Sequence, residues 1–429
     1  MMMPQPAFMK GVTMLEHYVE LIKDYSKQSY RLITRKPAGQ LKHPFIVPGS
    51  NSYSDCLWDW DSWLTDVAVR QIMRDNNDHD PWFRECEKGC ILNYVDSLSG
   101  DGWMPISITP DDELPRRKSS TEKTNIHKPC LAQHAAFLCR MEPEDRLWVK
   151  SCMSGLEQYI GYYEQNMLHP ETGLFFWLDD AAIGVDNDPC TFYRPDKSSV
   201  SIFLNCLMLR EYQAMAYLCE VSDMDGAKYV SAAKRLKDAI NEHLWDERNG
   251  FYYSADINLK PIDPDEWLHS GRPRHWHSVL QKIDCWSGFM AMWAQVATPE
   301  RAERMVRENL LKPELFCGTY GVRTLAKTEK MYCVVASGNP SCWLGPVWGI
   351  SNYMVYLGLM NYGYTREARD LAEKTITLFG RDLEGCGELH EYYDPDTGRG
   401  VNNQGFQSWN LLVNNMIAEQ LTGDAVKEF

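Results

Sequence analysis

The chain has 429 residues, 44% hydrophobic and 12% aromatic, with 15 Trp and 22 Tyr. That is enough material for a large core and for a cleft lined with rings. Its 44 basic and 59 acidic residues leave a net charge of −15; this disfavours nucleic acid as a partner, because phosphate recognition needs clustered Lys and Arg. No run of about 18 apolar residues and no signal-like stretch is present, so a soluble, cytoplasmic protein without membrane association is expected.

Amphipathic periodicity runs the length of the chain. Met14 to Ile33 places Leu15, Tyr18, Val19, Ile22, Tyr25 and Tyr30 near one stripe. Similar stripes follow in "DSWLTDVAVRQIMRD", "LAQHAAFLCRM", "DRLWVKSCMSGLEQYIGYYEQNML", "SIFLNCLMLREYQAMAYLCEV" and "DGAKYVSAAKRLKDAINEHLW". Others are "DCWSGFMAMWAQVA", "PERAERMVRENLL", "PVWGISNYMVYLGLMNYGY", "TREARDLAEKTITLFGRDL" and "GFQSWNLLVNNMIAEQL". About a dozen helices with no fixed repeat period and no linker point to an all-α chain, six helical hairpins closed into one (α/α)6 barrel domain over residues 1–429. Long Gly, Pro, Asp and Asn-rich connectors between the helices are where function is expected.

The 14 cysteines run from Cys56 to Cys386 without a C-x-x-C pair. Reduced thiols packed as small hydrophobes fit this spacing better than a disulfide framework or a metal knuckle.

Three acidic stretches carry candidate chemistry. "GVDNDPC" (Gly184 to Cys190) follows an apolar run closed by Asp179 and Asp180, and by composition alone it reads equally as a surface turn. "ELHEYYDPDTGRG" holds Glu388 and Glu391, three residues apart and able to share a helical face, before a turn signature. "SYSDCLWDWDSWL" interleaves Trp58, Trp60 and Trp63 with Asp59 and Asp61. A ring beside a carboxylate suits a sugar, whose C–H face stacks while its hydroxyls donate to the acid. The plainer alternative is that Trp60 and Trp63 are core and the acids cap the following helix. Two acids far apart in sequence within aromatic loops fit glycoside hydrolysis, and equally a sugar-binding protein without chemistry.

These loops occur in an order that resembles the α/α-toroid glycosidases of glycoside hydrolase families 63 and 37, most of all the family 63 hydrolases of mannosylglycerate and glucosylglycerate. "WDWDSWL" resembles W-D-[ST]-[FYW]-[FL]; "DGWMPISI" resembles G-x-[IL]-P; "HKPCLAQHAAFL" resembles Q-P-P-x-x-A; and "WLGPVWGISNYMVYLGLMNYGY" resembles W-R-G-P-[VI]-W followed by an N-Y helix. "LWDERNGFYY" and "GTYGVRTL" also match, and the resemblance runs from about Trp58 to Trp409.

The resemblance implies an inverting α-glycosidase acting on a small α-glucoside or α-mannoside, with no cofactor and no metal. "GVDNDP" is similar to G-[ML]-D-N-[ST]-P, which makes Asp186 the general acid, with Asp179, Asp180 and Asp188 as neighbours able to raise its pKa. "HEYYDP" is similar to E-Y-[YF]-[DN]-P, which makes Glu391 the general base and Glu388 the fallback. Sugar contacts are expected from Tyr53, Trp58, Trp60, Asp61, Trp103, His127, Lys128, Arg194, Trp343, Trp348, Gln404 and Trp409. The chain departs from the pattern at Leu344, where relatives carry the arginine of W-R-G-P, and at His127 and Lys128, where they read Q-P; His127 is the expected substitute for the Gln amide. An anionic aglycone would need a cation, and Arg194, Arg272, Arg274, His275 and His277 are the candidates. The competing readings are a silent sugar binder and a toroid lyase or epimerase using His or Tyr. The sequence is compatible with a monomer or a homodimer.

Overall fold

The computed structural model of the protein describes residues 13–111, 125–260, 265, 267, 276–335 and 340–429. Its α-helices are α1 Met14–Ser29, α2 Asp59–Asp75, α3 Pro81–Asp96, α4 Leu131–Met141, α5 Met153–Asn166 and α6 Ile202–Val221. They continue with α7 Ala227–His243, α8 Met290–Trp293, α9 Pro299–Arg304, α10 Gly349–Asn361, α11 Thr365–Cys386 and α12 Val413–Thr422.

Burial sorts them into two layers. The even-numbered helices are buried nearly all round: α2 from Asp59 to Met73, α4 from Leu131 to Cys139 and α10 from Gly349 to Leu359. A helix without a polar face must be surrounded by protein. The odd-numbered ones bury a stripe, as in α7 with Tyr229, Ala232, Ala233, Leu236 and Ile240. The inner helices touch in cyclic order, α2 with α4, α4 with α6, α6 with α8, α8 with α10, α10 with α12 and α12 with α2, which is the expected α/α toroid.

Local chemistry sets the helix ends. Thr13 and Glu16 form a reciprocal capping box at α1, Asp80 caps α3 ahead of Pro81, and Gly387 closes α11 in the left-handed region at φ 78°. Several predicted helices are irregular. "DCWSGFMAMWAQVA" is a 3-10 turn, Trp286–Phe289, running into the single turn of α8, where Gly288 lies so close to Phe251 that a Cβ would stand 2.4 Å from its ring. α9 runs on as a π-helix over Met305–Leu310, and a 3-10 turn, Ser408–Leu412, precedes α12.

The strands are two residues long and lie in the connectors. Leu57–Trp58 pairs antiparallel with Ser107–Ile108, and Val347–Trp348 with Tyr392–Tyr393. These pairs sit at the starts of α2 and α10, so the loops gather at the end of the toroid where those inner helices begin. All fourteen cysteines are unbridged and eleven are buried. Among the described residues no helix is long and apolar enough to cross a membrane.

Candidate active site

At that end of the toroid a cavity of about 220 Å³ opens between the loops. This exceeds the ~150 Å³ of a cavity able to take up a benzene ring and is the scale of one sugar ring. Its lining includes Tyr53, Trp58, Trp60, Asp61, Lys128, Asp186, Trp343, Trp348, Glu391 and Trp409, ten of the residues singled out in the sequence. Asp186 and Glu391, 205 positions apart in the chain, face the same space.

The apolar wall is a run of rings. Trp343 stacks on Trp348 at 3.9 Å with 9° between planes, and Trp348 stacks on Tyr392 at 4.8 Å. Trp60 meets Trp343 at 6.0 Å and Trp409 edge-on at 5.2 Å. Trp63 points into the core instead and does not line the cavity, so the closely spaced tryptophans divide between site and core.

Glu391 is held at the start of the strand Tyr392–Tyr393, 4% exposed. Tyr53 donates its hydroxyl to Oε1 at 3.2 Å, Asn402 donates to Oε2 at 2.9 Å, and Asn403 donates to the same oxygen. Burial outweighs these donors and pushes its carboxyl from 4.5 up to about 7, with the charge of Asp186 adding to the rise. Glu388 is exposed, because α11 has already ended at Cys386 and the two glutamates never share a helical face.

Asp186 is half-buried in a turned loop. Gly184, at φ 67°, starts that loop against the cavity wall: a Cβ there would lie 2.9 Å from Lys128 Nζ and 3.1 Å from Trp60. Asn187 accepts from the Trp343 backbone N–H at 2.7 Å and so ties the Asp186 loop to the tryptophan wall. Of the three acids proposed as its neighbours, Asp180 is within electrostatic reach, and burial followed by nearby acids, Asp186 included, raises its carboxyl. Asp179 caps a turn through the Ala181 N–H, and Asp188 accepts from Thr191 at 3.1 Å beside Cys190 and Cys285. The carboxyls that share the cavity with Asp186 are those of Asp61 and Glu391, and it is Glu391 whose rise carries a contribution from Asp186.

Asp61, at the first turn of α2, accepts from Ser408 Oγ at 2.8 Å, and burial pushes its carboxyl up to about 8. Asp59 beside it accepts the backbone N–H of Trp60 at 2.7 Å and of Lys128 at 2.8 Å, so the first acid braces backbone while the second faces the cavity.

Four expected contact residues do not line the cavity. Trp103 is buried under its own turn, where its carbonyl accepts from Ser99. His127 is wedged between the rings of Tyr94 and Tyr159, with Nδ1 2.6 Å from the Lys128 carbonyl; burial lowers it to about 4. The side chain at the cavity wall in this segment is that of Lys128. Arg194 is paired with Asp256, and Gln404 is exposed on a turn. His277 is half-buried outside the lining, while Arg272, Arg274 and His275 lie outside the described residues. Leu344 is buried in the core. Among the lining residues that no motif marks are Pro48, Ser107, Asn125, Ser341 and Phe406, and the supports Asn402 and Asn403 are likewise unmarked in the sequence. The register Glu391 N–H to Asn402 C=O, set by the "DPDTG" turn, is what aims that amide pair at the carboxylate.

Several solved structures share this fold. That of the family 63 mannosylglycerate hydrolase from Thermus thermophilus in complex with Tris and D-glycerate aligns over 92% of this chain and 99% of that one, with a TM-score of 0.67 at 19% identity. Neutral trehalase from Saccharomyces cerevisiae aligns over 93% and 80%, with a TM-score of 0.60 at 16% identity. Among curated sequences, a probable trehalase of Eremothecium gossypii is 28% identical over 90% of this chain and 48% of its own length. A mannosylglycerate hydrolase of Thermus thermophilus is 31% identical over 53% and 48%. The chain spans about half the length of these curated relatives. Residues 54–409 match the mannosylglycerate hydrolase MGH1-like glycoside hydrolase domain, a span that holds every cavity residue except Pro48 and Tyr53, and the chain belongs to that glycoside hydrolase family.

Proposed function

We propose that this protein is an inverting α-glycosidase that hydrolyses a small α-glucoside or α-mannoside, with Asp186 as general acid and Glu391 as general base. The observation that carries the proposal is the meeting of these two carboxyl groups in one ring-lined cavity the size of a sugar. In such a reaction the acid protonates the departing glycosidic oxygen while the base takes a proton from a water attacking the opposite face of the anomeric carbon, the two carboxyls standing roughly 6.5–9.5 Å apart. Glu391 suits the base: burial places its titration near neutrality, and three side-chain donors fix the direction of its oxygens. Trp60, Trp343, Trp348 and Trp409 supply faces for the C–H surface of the sugar, and Asp61 supplies an acceptor for a hydroxyl.

The substrate we infer is glucosylglycerate, mannosylglycerate or a short α-linked oligosaccharide, a reading supported by relatives named mannosylglycerate hydrolase and trehalase. We place the reaction in the cytoplasm, in one catalytic domain, a reading supported by fourteen unbridged thiols. Proton NMR of the protein with α-glucosylglycerate, α-mannosylglycerate and a panel of α-linked disaccharides tests the proposal. The β-anomer must appear first, before mutarotation. Initial α-anomer refutes inversion, and no turnover of any member refutes the hydrolase reading in favour of a silent binder.

A further inference from the structure

The cavity contains one buried cation that the hydrolytic mechanism does not use. Lys128 is 0% exposed and its Nζ lies 2.9 Å from Asp59 Oδ1 and 4.7 Å from the ring of Trp60. The contact with Asp59 is coulombic and off the hydrogen-bonding direction, and Nζ makes no hydrogen bond. Asp59 also accepts the backbone N–H groups of Trp60 and of Lys128 itself, so it faces only one side of the ammonium. An ammonium group has three protons and no acceptor lone pair, and leaving its donors unmet in a buried site is costly. Gly184, on the loop that carries Asp186, makes room for this group, since any Cβ there would stand 2.9 Å from Nζ. Three separate segments therefore hold at the cavity wall an ammonium that is paired in charge with Asp59 and keeps protons for a ligand.

We infer that Lys128 selects the sugar, donating from Nζ to one hydroxyl oxygen of the bound ring, while the neighbouring Asp61 accepts from another. The inference rests on the glycosidase reading and deepens it by naming a specificity-determining residue. The tight pairing with Asp59 neutralises the ammonium, so the group it recognises is a neutral hydroxyl. A carboxylate or phosphate on the sugar would meet a cation already compensated and, close by, the carboxyls of Asp61, Asp186 and Glu391. The indole N–H groups of Trp58, Trp343 and Trp409, all from lining residues, are likewise buried without a partner. The site is thus rich in donors for oxygen acceptors, the pattern a polyhydroxylated ring fits.

The test is equilibrium binding, followed by ligand-observed NMR at pH 7, of D-glucose, D-mannose and the set of their monodeoxy derivatives to the full chain. Wild type is compared with Lys128→Met and with the double variant Asp59→Asn/Lys128→Met. The double variant removes both charges together, so a fold weakened by an uncompensated Asp59 in the single variant is recognised and bypassed. For wild type, loss of one hydroxyl weakens binding at least about tenfold more than loss of the others, and both variants erase that difference. Equal discrimination among the deoxy sugars in wild type and variants overturns the role of Lys128 while leaving hydrolysis, read separately by the anomeric NMR, intact. Absence of binding by any of these sugars to wild type overturns both readings.

Discussion

Replacing Glu391 with Gln separates the chemical role of this carboxyl from its structural cost. In the fold its pKa rises from 4.5 to about 7, chiefly through burial. A carboxyl raised on folding favours the protonated state, so its penalty is absent below about pH 4.5, grows as the pH climbs, and is complete above about 7. The displacement corresponds to about 3 kcal/mol. The Gln side chain is isosteric: its oxygen can occupy the Oε2 position facing the amides of Asn402 and Asn403, while its NH2 donates to a rotated Tyr53 hydroxyl.

At pH 8 the variant is therefore more stable than wild type by about 3 kcal/mol, and at pH 4.5 the two are equal. Taking about 2.1 cal/mol/K of unfolding entropy per residue over this chain, that is a rise in Tm of roughly 3–4 °C. Buried acids away from the site, such as Glu87, are common to both proteins and cancel in the difference. Paired thermal melts across pH 4.5–8 read it out. Turnover of the substrate found by NMR falls about 10²- to 10⁴-fold in the same variant. A stability difference that does not change with pH, or turnover within a few-fold of wild type, refutes the reasoning.

Wild-type kcat/KM rises with pH along a limb centred near 7, since the base must be ionised, and a profile flat from pH 5 to 8 contradicts Glu391 as base. Asp186→Asn lowers turnover about 10²- to 10⁴-fold; substrates whose leaving groups need no proton are affected least, and an equal loss on all leaving groups argues against an acid role. Gly184→Ala forces a Cβ to within 2.9 Å of Lys128 Nζ at a positive φ, and costs about 1–2 kcal/mol together with a raised KM; a neutral result in both denaturation and kinetics refutes the close-approach argument. Arg70→Met strands the buried Glu87, which Arg70 holds with two contacts of 2.6 Å, and costs about 3–5 kcal/mol by urea denaturation. Adding Glu87→Leu restores most of that loss, and failure to do so shows that packing, not charge, dominates there.

Periodicity read from the sequence located the helices, and composition carries the contrast between α10, apolar on every side, and the striped α7; which helices form the inner layer was not read from it, because an inner helix such as α2 also buries Asp59, Asp61, Asp66 and Arg70. The order of the loop motifs led to Asp186, Glu391, Trp60, Asp61 and Trp343, since these residues sit in or next to the loops that lead into inner helices and carry distinctive local patterns. Tertiary structure decided which member of each local cluster faces the cavity. Glu388 and Glu391 are indistinguishable by composition, and only the helix end at Gly387 and the pairing of Tyr392 with Trp348 turn one outward and bury the other. His127 and Lys128 are adjacent, yet the pocket between Tyr94 and Tyr159 claims the imidazole and leaves the ammonium at the wall. The distribution of charge inside the site was also unreadable in advance. The rise of Glu391 depends on desolvation and on an aspartate 205 positions away, and both exist only once the toroid has closed.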